Sequence, residues 1–291
     1  MSNTFLTVNE IAKESLMRLQ NNLVFGNLVH RNFDSEFSNK GDTVNVRKPA
    51  TFVGKDFTTE IAPQAISEGS VAVKLDKIAD VSTEITSKEL SLNIQDFGRD
   101  VVEGVMQGLA QKIDLELAKL YLDIPYYTGT SGGTPDGIDD LANAGKVLNA
   151  NKAPIGLRNM VVDPEAHAKL IIVDSILEAD KSGTTDALRN ASMGRVLGFD
   201  NYMSQNIQTH TAGTMTAVAT PKVNANALKG ATKIGVKGGT AETGVETLKK
   251  GDVMTIGGYQ YVVTADAVAE AGVIAEVSIY PGLKVAATAN D

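Results

Sequence analysis

Between Asn93 and Ile124 apolar residues recur every three to four positions: Phe97, Val101, Val105, Leu109, Ile113, Leu117 and Leu120. That is the helical period. Asn93 is placed to cap the helix start, Asp96 suits the positive end of the helix dipole, and Pro125 stops the run. At 1.5 Å per residue such a helix is roughly 48 Å long, as long as a small domain is wide. The pattern therefore predicts a spine with separate lobes along it. Gly98, Gly104 and Gly108 interrupt it, and the last two share a face, which predicts close packing there.

Alternation takes over on the N-terminal side. TVNVRKP and SVAVKLDKIADVSTEIT read as the two strands of a long hairpin over 41–86, with Val71, Val73 and Leu75 on one face and Ser70, Ala72 and Lys74 on the other. A two-stranded hairpin is marginal alone in water, so it needs a further surface, either its own sheet or a neighbouring subunit. Residues 1–40 hold a short helix opened by a capping box, Thr7 to Glu10, then an apolar arm broken at Gly26 and at Asn32–Asp34. A second capping box, Thr86 to Glu89, precedes the spine.

Beyond the spine, 126–206 alternates helix and strand. A loop, GTSGGTPDG, leads to a helix over Ile138–Leu148 and a short strand over Asn159–Asp163. Asp163 then caps a helix that has Pro164 at its first position. From 207 to 291 helical periodicity disappears. TKIGVKGG, GDVMTIGGYQYVVTAD and GVIAEVSIYPG read as strands joined by tight Gly turns, a small barrel or sandwich. The fold class is α+β.

Composition narrows the chemistry. Among 291 residues, 27 are basic and 35 acidic, a net charge of −8, without the basic excess of a nucleic-acid binder. Cysteine is absent, which excludes disulfides and thiolate metal sites. His30, His167 and His210 lie far apart in sequence, and tryptophan is absent. The opening MSNTFLTVNE lacks the basic and apolar regions of a signal peptide, and no apolar run reaches the ~18 residues of a membrane helix. Residence in a cytoplasm-like compartment is expected.

No catalytic set assembles from spacing. GTSGGTPDG lacks the Lys-Ser/Thr ending of a phosphate loop and is not a nucleophile elbow. Asp96, Asp100 and Glu103 share a helix face, which reads as a solvated acidic stripe. Asp163 and His167 lack the further ligands a metal needs. No cofactor, metal or catalytic residue is expected, and the chain is not read as an enzyme.

ALRNASMGRVLGFDNYMSQNIQTHTAG, residues 187–213, resembles the segment R-N-[AS]-x-G-R-x-x-G-F-D-x-Y-x-[SD]-Q-N-[VI] of the major coat proteins of short-tailed phages of the P-twenty-two type. IAKESLMRLQNNLVFGNLVHRNFDSEF resembles that family's N-terminal arm. GDTVNVRKPATFVGKDF and SEGSVAVKLDKIADVSTEITSKELSL resemble its extended loop, NIQDFGRDVVEGVMQGLAQKIDLELAKLY its spine helix, and KKGDVMTIGGYQYVVTAD its inserted β-domain. The resemblance covers nearly the whole chain in order. It implies the Hong Kong 97 capsid fold: N-arm at 1–40, E-loop at 41–86, P-domain spine at 87–125, a mixed α/β A/P-domain region at 126–206, and an inserted β-barrel-like domain with the chain end at 207–291.

What the resemblance implies for function is a major capsid protein. It would self-assemble through hexamers and pentamers into an icosahedral shell, with a scaffolding protein and a portal protein as partners, inside the bacterial host cytoplasm. The shell would enclose double-stranded DNA without sequence-specific binding and without a membrane, and a net negative charge is tolerable there, since a motor drives the DNA in and no affinity for the wall is required. Phe97, Val101, Val105, Leu109, Ile113 and Leu117 are then the spine-packing residues. Phe52, Phe57, Ile61 and Ile66 are the inter-subunit arm. In the family the chain continues past the inserted domain to complete the A- and P-domain strands, whereas this sequence ends at GLKVAATAND. The competing readings are a non-viral shell, a binding or adhesin module built on 207–291, and an enzyme using the acidic loop at 129–140.

Overall fold

The computed structural model describes residues 23–31, 43–48, 50, 52, 54, 56, 66, 68–82, 103–217, 221–238 and 246–290. Helix α1 is Phe25–Leu28, and strands β1 (Thr43–Lys48) and β2 (Gly69–Lys74) follow. The spine helix, α2, is Glu103–Ala118. After it come α3 (Ile138–Ala150), β3 (Arg158–Val162), α4 (Pro164–Ile171), α5 (Asp174–Leu177), α6 (Ala179–Ser182), α7 (Asp186–Asn190), β4 (Arg195–Val196) and β5 (Phe199–Met203). The C-terminal region holds β6 (Lys222–Val223), β7 (Lys233–Lys237), β8 (Thr247–Leu248), β9 (Val253–Ile256), β10 (Tyr259–Val263), β11 (Ala267–Val268) and β12 (Val273–Tyr280). The chain forms two compact units, Met1–Leu19 with Leu28–Leu109, and Gln20–Asn27 with Ala110–Asp291.

In the first unit β1 and β2 pair antiparallel, from Thr43 opposite Lys74 to Lys48 opposite Gly69. The return strand is shorter than its alternation predicts. It stops at Lys74, where β1 has no further described residue to pair with, and 75–82 carries no regular structure.

The spine also differs from its pattern at the end. The α-helix closes at Ala118 and tightens into a 3-10 turn over Lys119–Asp123 before Ile124 turns extended. The residues buried on α2 are Ala110, Asp114 and Ala118, one position on from the predicted Leu109, Ile113 and Leu117, which are half-buried. Among the described residues, a Cβ added at Gly104 or Gly108 would meet nothing within 4 Å, so no described residue packs closely against those glycines.

Asp114 explains the shift. Its side chain is 1% exposed and accepts the backbone N–H of Val24 at 2.9 Å and of Gly26 at 3.2 Å. These are amides at the start of α1, where a short helix has donors without intrahelical acceptors. The carboxylate therefore caps, from the spine, a helix about ninety residues away in sequence. Replacing Asp114 with Ala is expected to cost about 2–3 kcal/mol, since each buried donor that loses its acceptor costs about 1–3 kcal/mol. Asp114→Asn keeps one acceptor oxygen and should lose less. Urea midpoints check this, and equal losses for the two variants would overturn the capping account.

The α/β lobe follows its sequence pattern closely. Asp163 accepts Ala166 N–H at 3.2 Å and Pro164 opens α4. Strands run in the order β3-β5-β4, with β3 parallel to β5 and β4 antiparallel to it. The β4–β5 turn is Leu197–Gly198, both at positive φ, the conformation a two-residue hairpin loop demands. It delivers Phe199, 3% exposed, to the core beside Gly145 of α3. Leu141, Val162, Ala166, Leu170 and Ile176 form the centre of this lobe.

The C-terminal module is an antiparallel sheet ordered β6-β7-β12-β10-β9, with β8 and β11 paired beside it. Val223, Val236 and Ile234 on one side meet Tyr261, Val263, Val277 and Ile279 in its core. In β12 two outward residues, Ala275 and Glu276, separate inward Ile274 from Val277, and the register shifts there. One extra residue is a β-bulge, and it restores the inward phase. Tyr261 is fully buried, and its hydroxyl accepts Lys284 N–H at 2.9 Å.

Candidate functional site

The strongest feature is the β1–β2 ribbon. Directly opposed residues of an antiparallel pair share a face. Val44 opposite Val73 and Val46 opposite Val71 therefore make one face of valine. Thr43 with Lys74, Asn45 with Ala72 and Arg47 with Ser70 make the other. Val71 and Val73 are each 42% exposed, and Val44 and Val46 are half-buried. The ribbon carries Arg47, Lys48 and Lys74 and no acid, in a chain of net charge −8. Along the same arm Phe52 is 64% exposed and Ile66 69%. Phe57 and Ile61 lie outside the described residues, as do Phe97 and Val101. Val105, Leu109, Ile113 and Leu117 all lie on α2 and are half-buried, while Leu120 is exposed.

A second cluster joins the spine's final turn to the β-rich module. Asp252, 4% exposed, accepts Lys249 N–H at 2.8 Å and Gly213 N–H at 3.0 Å, and lies 2.7 Å from His210 Nε2. Tyr121 meets the His210 ring edge-on at 6.1 Å, and burial raises its phenol pKa. Lys250 pairs with Asp123 at 2.8 Å. Gly251, at φ 97°, touches Leu122 so closely that a side chain has no room. Nearby, the Gln260 amide bonds both ways with the backbone of Tyr127, at 3.2 and 2.8 Å, and Lys284 lies 5.0 Å from the ring centre of Tyr259 and 5.8 Å from that of Tyr126. These contacts make the His210–Asp252 pair a clasp between the spine's final turn and the module. Composition gave no hint of it, because His210 and Asp252 are 42 residues apart.

The GTSGGTPDG loop, which lacks a phosphate-loop ending, roofs a cavity of about 510 Å³, floored by Leu141, Met160, Val162 and Leu170. Its ends are fixed. Asp140 accepts Asp136 N–H at 3.0 Å, and the Thr134 hydroxyl donates to Glu165 at 3.1 Å. Hydrogen bonds from Lys169 and then Thr134 hold the Glu165 carboxyl below the usual range. Asp163 is used as a helix cap and does not converge with His167 on a metal site. Among the described residues no three His, Cys, Asp or Glu side chains are grouped to hold a metal, and no helix is long and apolar enough to cross a membrane.

No protein-family model matches the chain, and no curated protein does. Among solved structures, a chain from Mycobacterium phage Che8 superposes with a TM-score of 0.51 at 18% identity, over 90% of this chain and 88% of that one. The fold is shared with a phage protein. The crystal structure of a virus-like particle from Pyrococcus furiosus gives a TM-score of 0.37 at 12% identity, over 93% of this chain and 92% of that one, and adds nothing to that statement.

Proposed function

We propose that this chain is a shell-forming subunit: the major capsid protein of a tailed bacteriophage of the P-twenty-two type, built on the Hong Kong 97 fold. The observation that carries the reading is the valine face of the ribbon. A two-stranded ribbon is marginal alone in water, and this one presents valines on one face and carries Arg47, Lys48 and Lys74 without an acid. Such an arm gains its stability from a neighbour. The fold shared with a phage chain over nine-tenths of the length supports the same reading, as does the order of the segments. The tight β4–β5 turn gives the G-F-D stretch of the sequence motif a structural role, because it seats Phe199.

In this reading the chain is not an enzyme. Its partners are copies of itself in hexamers and pentamers, a scaffolding protein, a portal protein and the packaged double-stranded DNA, and it resides in the virion after assembly in the host cytoplasm. Electron microscopy of the purified protein, alone and with its scaffold, tests the reading. Closed shells, partial shells or capsomers are expected. A strictly monodisperse monomer at high concentration with scaffold supplied would overturn it.

A further inference from the structure

The 510 Å³ cavity beneath the 127–141 loop has no role in the reading above. It is preformed. Tyr127 is pinned by Gln260 at one end of the roof, and Thr134 and Asp136 are pinned by Glu165 and Asp140 at the other. Its floor is aliphatic. Its charged lining is acidic, Asp136 and Asp140, with Asp139 next in sequence. Lys169, which lies near Asp136 and Asp163 as well, is already paired with Glu165 at 2.9 Å. A cavity of about 150 Å³ holds a benzene ring, so this one takes an aromatic ring with an aliphatic neighbour.

The arm carries the complementary chemistry. Residues 47–55, RKPATFVGK, hold three cations, Arg47, Lys48 and Lys55, and no acid, around Phe52 and Val53. Phe52 is 64% exposed. The loop segment 127–141, YTGTSGGTPDGIDDL, holds three acids and no cation. An aromatic anchor flanked in sequence by cations suits an apolar pocket lined by carboxylates, and such charges steer encounter and fix register.

We infer that this cavity receives Phe52 of a second copy of the chain, with Arg47 and Lys48 of that copy's arm meeting the lining carboxylates Asp136 and Asp140. The inference rests on the shell reading and names where on the neighbour the arm is held.

The chain has no cysteine, so single-cysteine variants give a clean assay. Gly54→Cys keeps Phe52 and sits where an added side chain meets nothing within 4 Å among the described residues; Thr130→Cys lies on the exposed cavity rim. The two variants are purified separately, mixed under assembly conditions and oxidised with copper phenanthroline. A disulfide-linked heterodimer is expected, well above the yield with an exposed control cysteine at Ala225. Adding Phe52→Ala to the Gly54→Cys chain should lower that yield at least about tenfold, because one buried aromatic anchor commonly dominates such contacts. Asp136→Lys on the Thr130→Cys chain should lower it as well, and Arg47→Glu with Lys48→Glu on the arm should restore part of it. Particles that form normally while the mixture cross-links no better than the control would overturn this inference and leave the shell reading standing. A cross-link confined to a single chain carrying both cysteines would make the arm its own occupant and overturn it too. Failure of the parent protein to assemble, with no cross-link, would remove both.

Discussion

Asp252→Ala is expected to lower stability by about 3–5 kcal/mol. Three donors converge on this buried carboxylate: the amides of Lys249 and Gly213 and the His210 ring. A buried donor that loses its acceptor costs about 1–3 kcal/mol, and here the donors have little freedom to find another. Gly213 is held where an added Cβ would strike the backbone of Thr247 and Leu248, so its amide cannot swing away. His210 is wedged between Tyr121 and Gly251. For a chain of this size each kcal/mol shifts the melting temperature by about 2–4 °C, so a fall of roughly 10 °C is expected. Asp252→Asn retains one oxygen for the two amides and presents an NH₂ group to a neutral His210 ring, so its loss should be about 1–2 kcal/mol. Thermal and urea unfolding check both values. A loss below about 1 kcal/mol for the alanine variant would show that the clasp does not hold the spine's final turn to the module.

The clasp was invisible in the sequence because its parts are 42 residues apart and consist of ordinary residue types. Asp114 was hidden for a related reason. Periodicity assigns a carboxylate between Leu109 and Leu117 to the solvent face, because burying an unpaired charge is costly. The cost is met by two amides of α1, a long-range partner that no local pattern reveals. The buried stripe of α2 therefore passes through Ala110, Asp114 and Ala118, beside the leucines that the pattern selects. The glycines misled in the other direction. Two small residues four apart suggest a close neighbour, yet Gly104 and Gly108 face open space among the described residues.

Local chemistry, by contrast, was legible. The Asp163–Pro164 cap, the α3 helix and the ribbon's valine alternation all appear where the sequence pattern puts them. In each case the deciding interaction lies within a few residues or follows from a period of two. The sequence also set the 129–137 loop aside as a phosphate site for want of the Lys-Ser/Thr ending, but it did not show the cavity beneath: Gly129 and Gly132 take positive φ, and the lining carboxylates, Asp136 and Asp140, would repel a phosphate.

Val44→Asp with Val73→Asp is expected to abolish assembly while leaving the unit that contains 110–291 as stable as before. The two positions are cross-strand partners at one end of the valine face. A fully buried valine contributes about 1.5–3 kcal/mol. These valines are already half covered, so docking the face gains about 1 kcal/mol from each, or about 4 kcal/mol per ribbon. At 1.4 kcal/mol per factor of ten, that is close to a thousandfold in the association constant. The double substitution removes about half of the gain and sets two carboxylates against the surface that must dry, at several kcal/mol if they stay unpaired. Val44→Thr with Val73→Thr is the graded control. It keeps the β-branched shape and strand preference, and it should raise the concentration needed for assembly without eliminating it. Sedimentation and microscopy separate the outcomes. Normal shells from the aspartate variant would show that the valine face is not what a neighbour covers, and an equal drop in melting temperature for both variants would place that face in the subunit's own core.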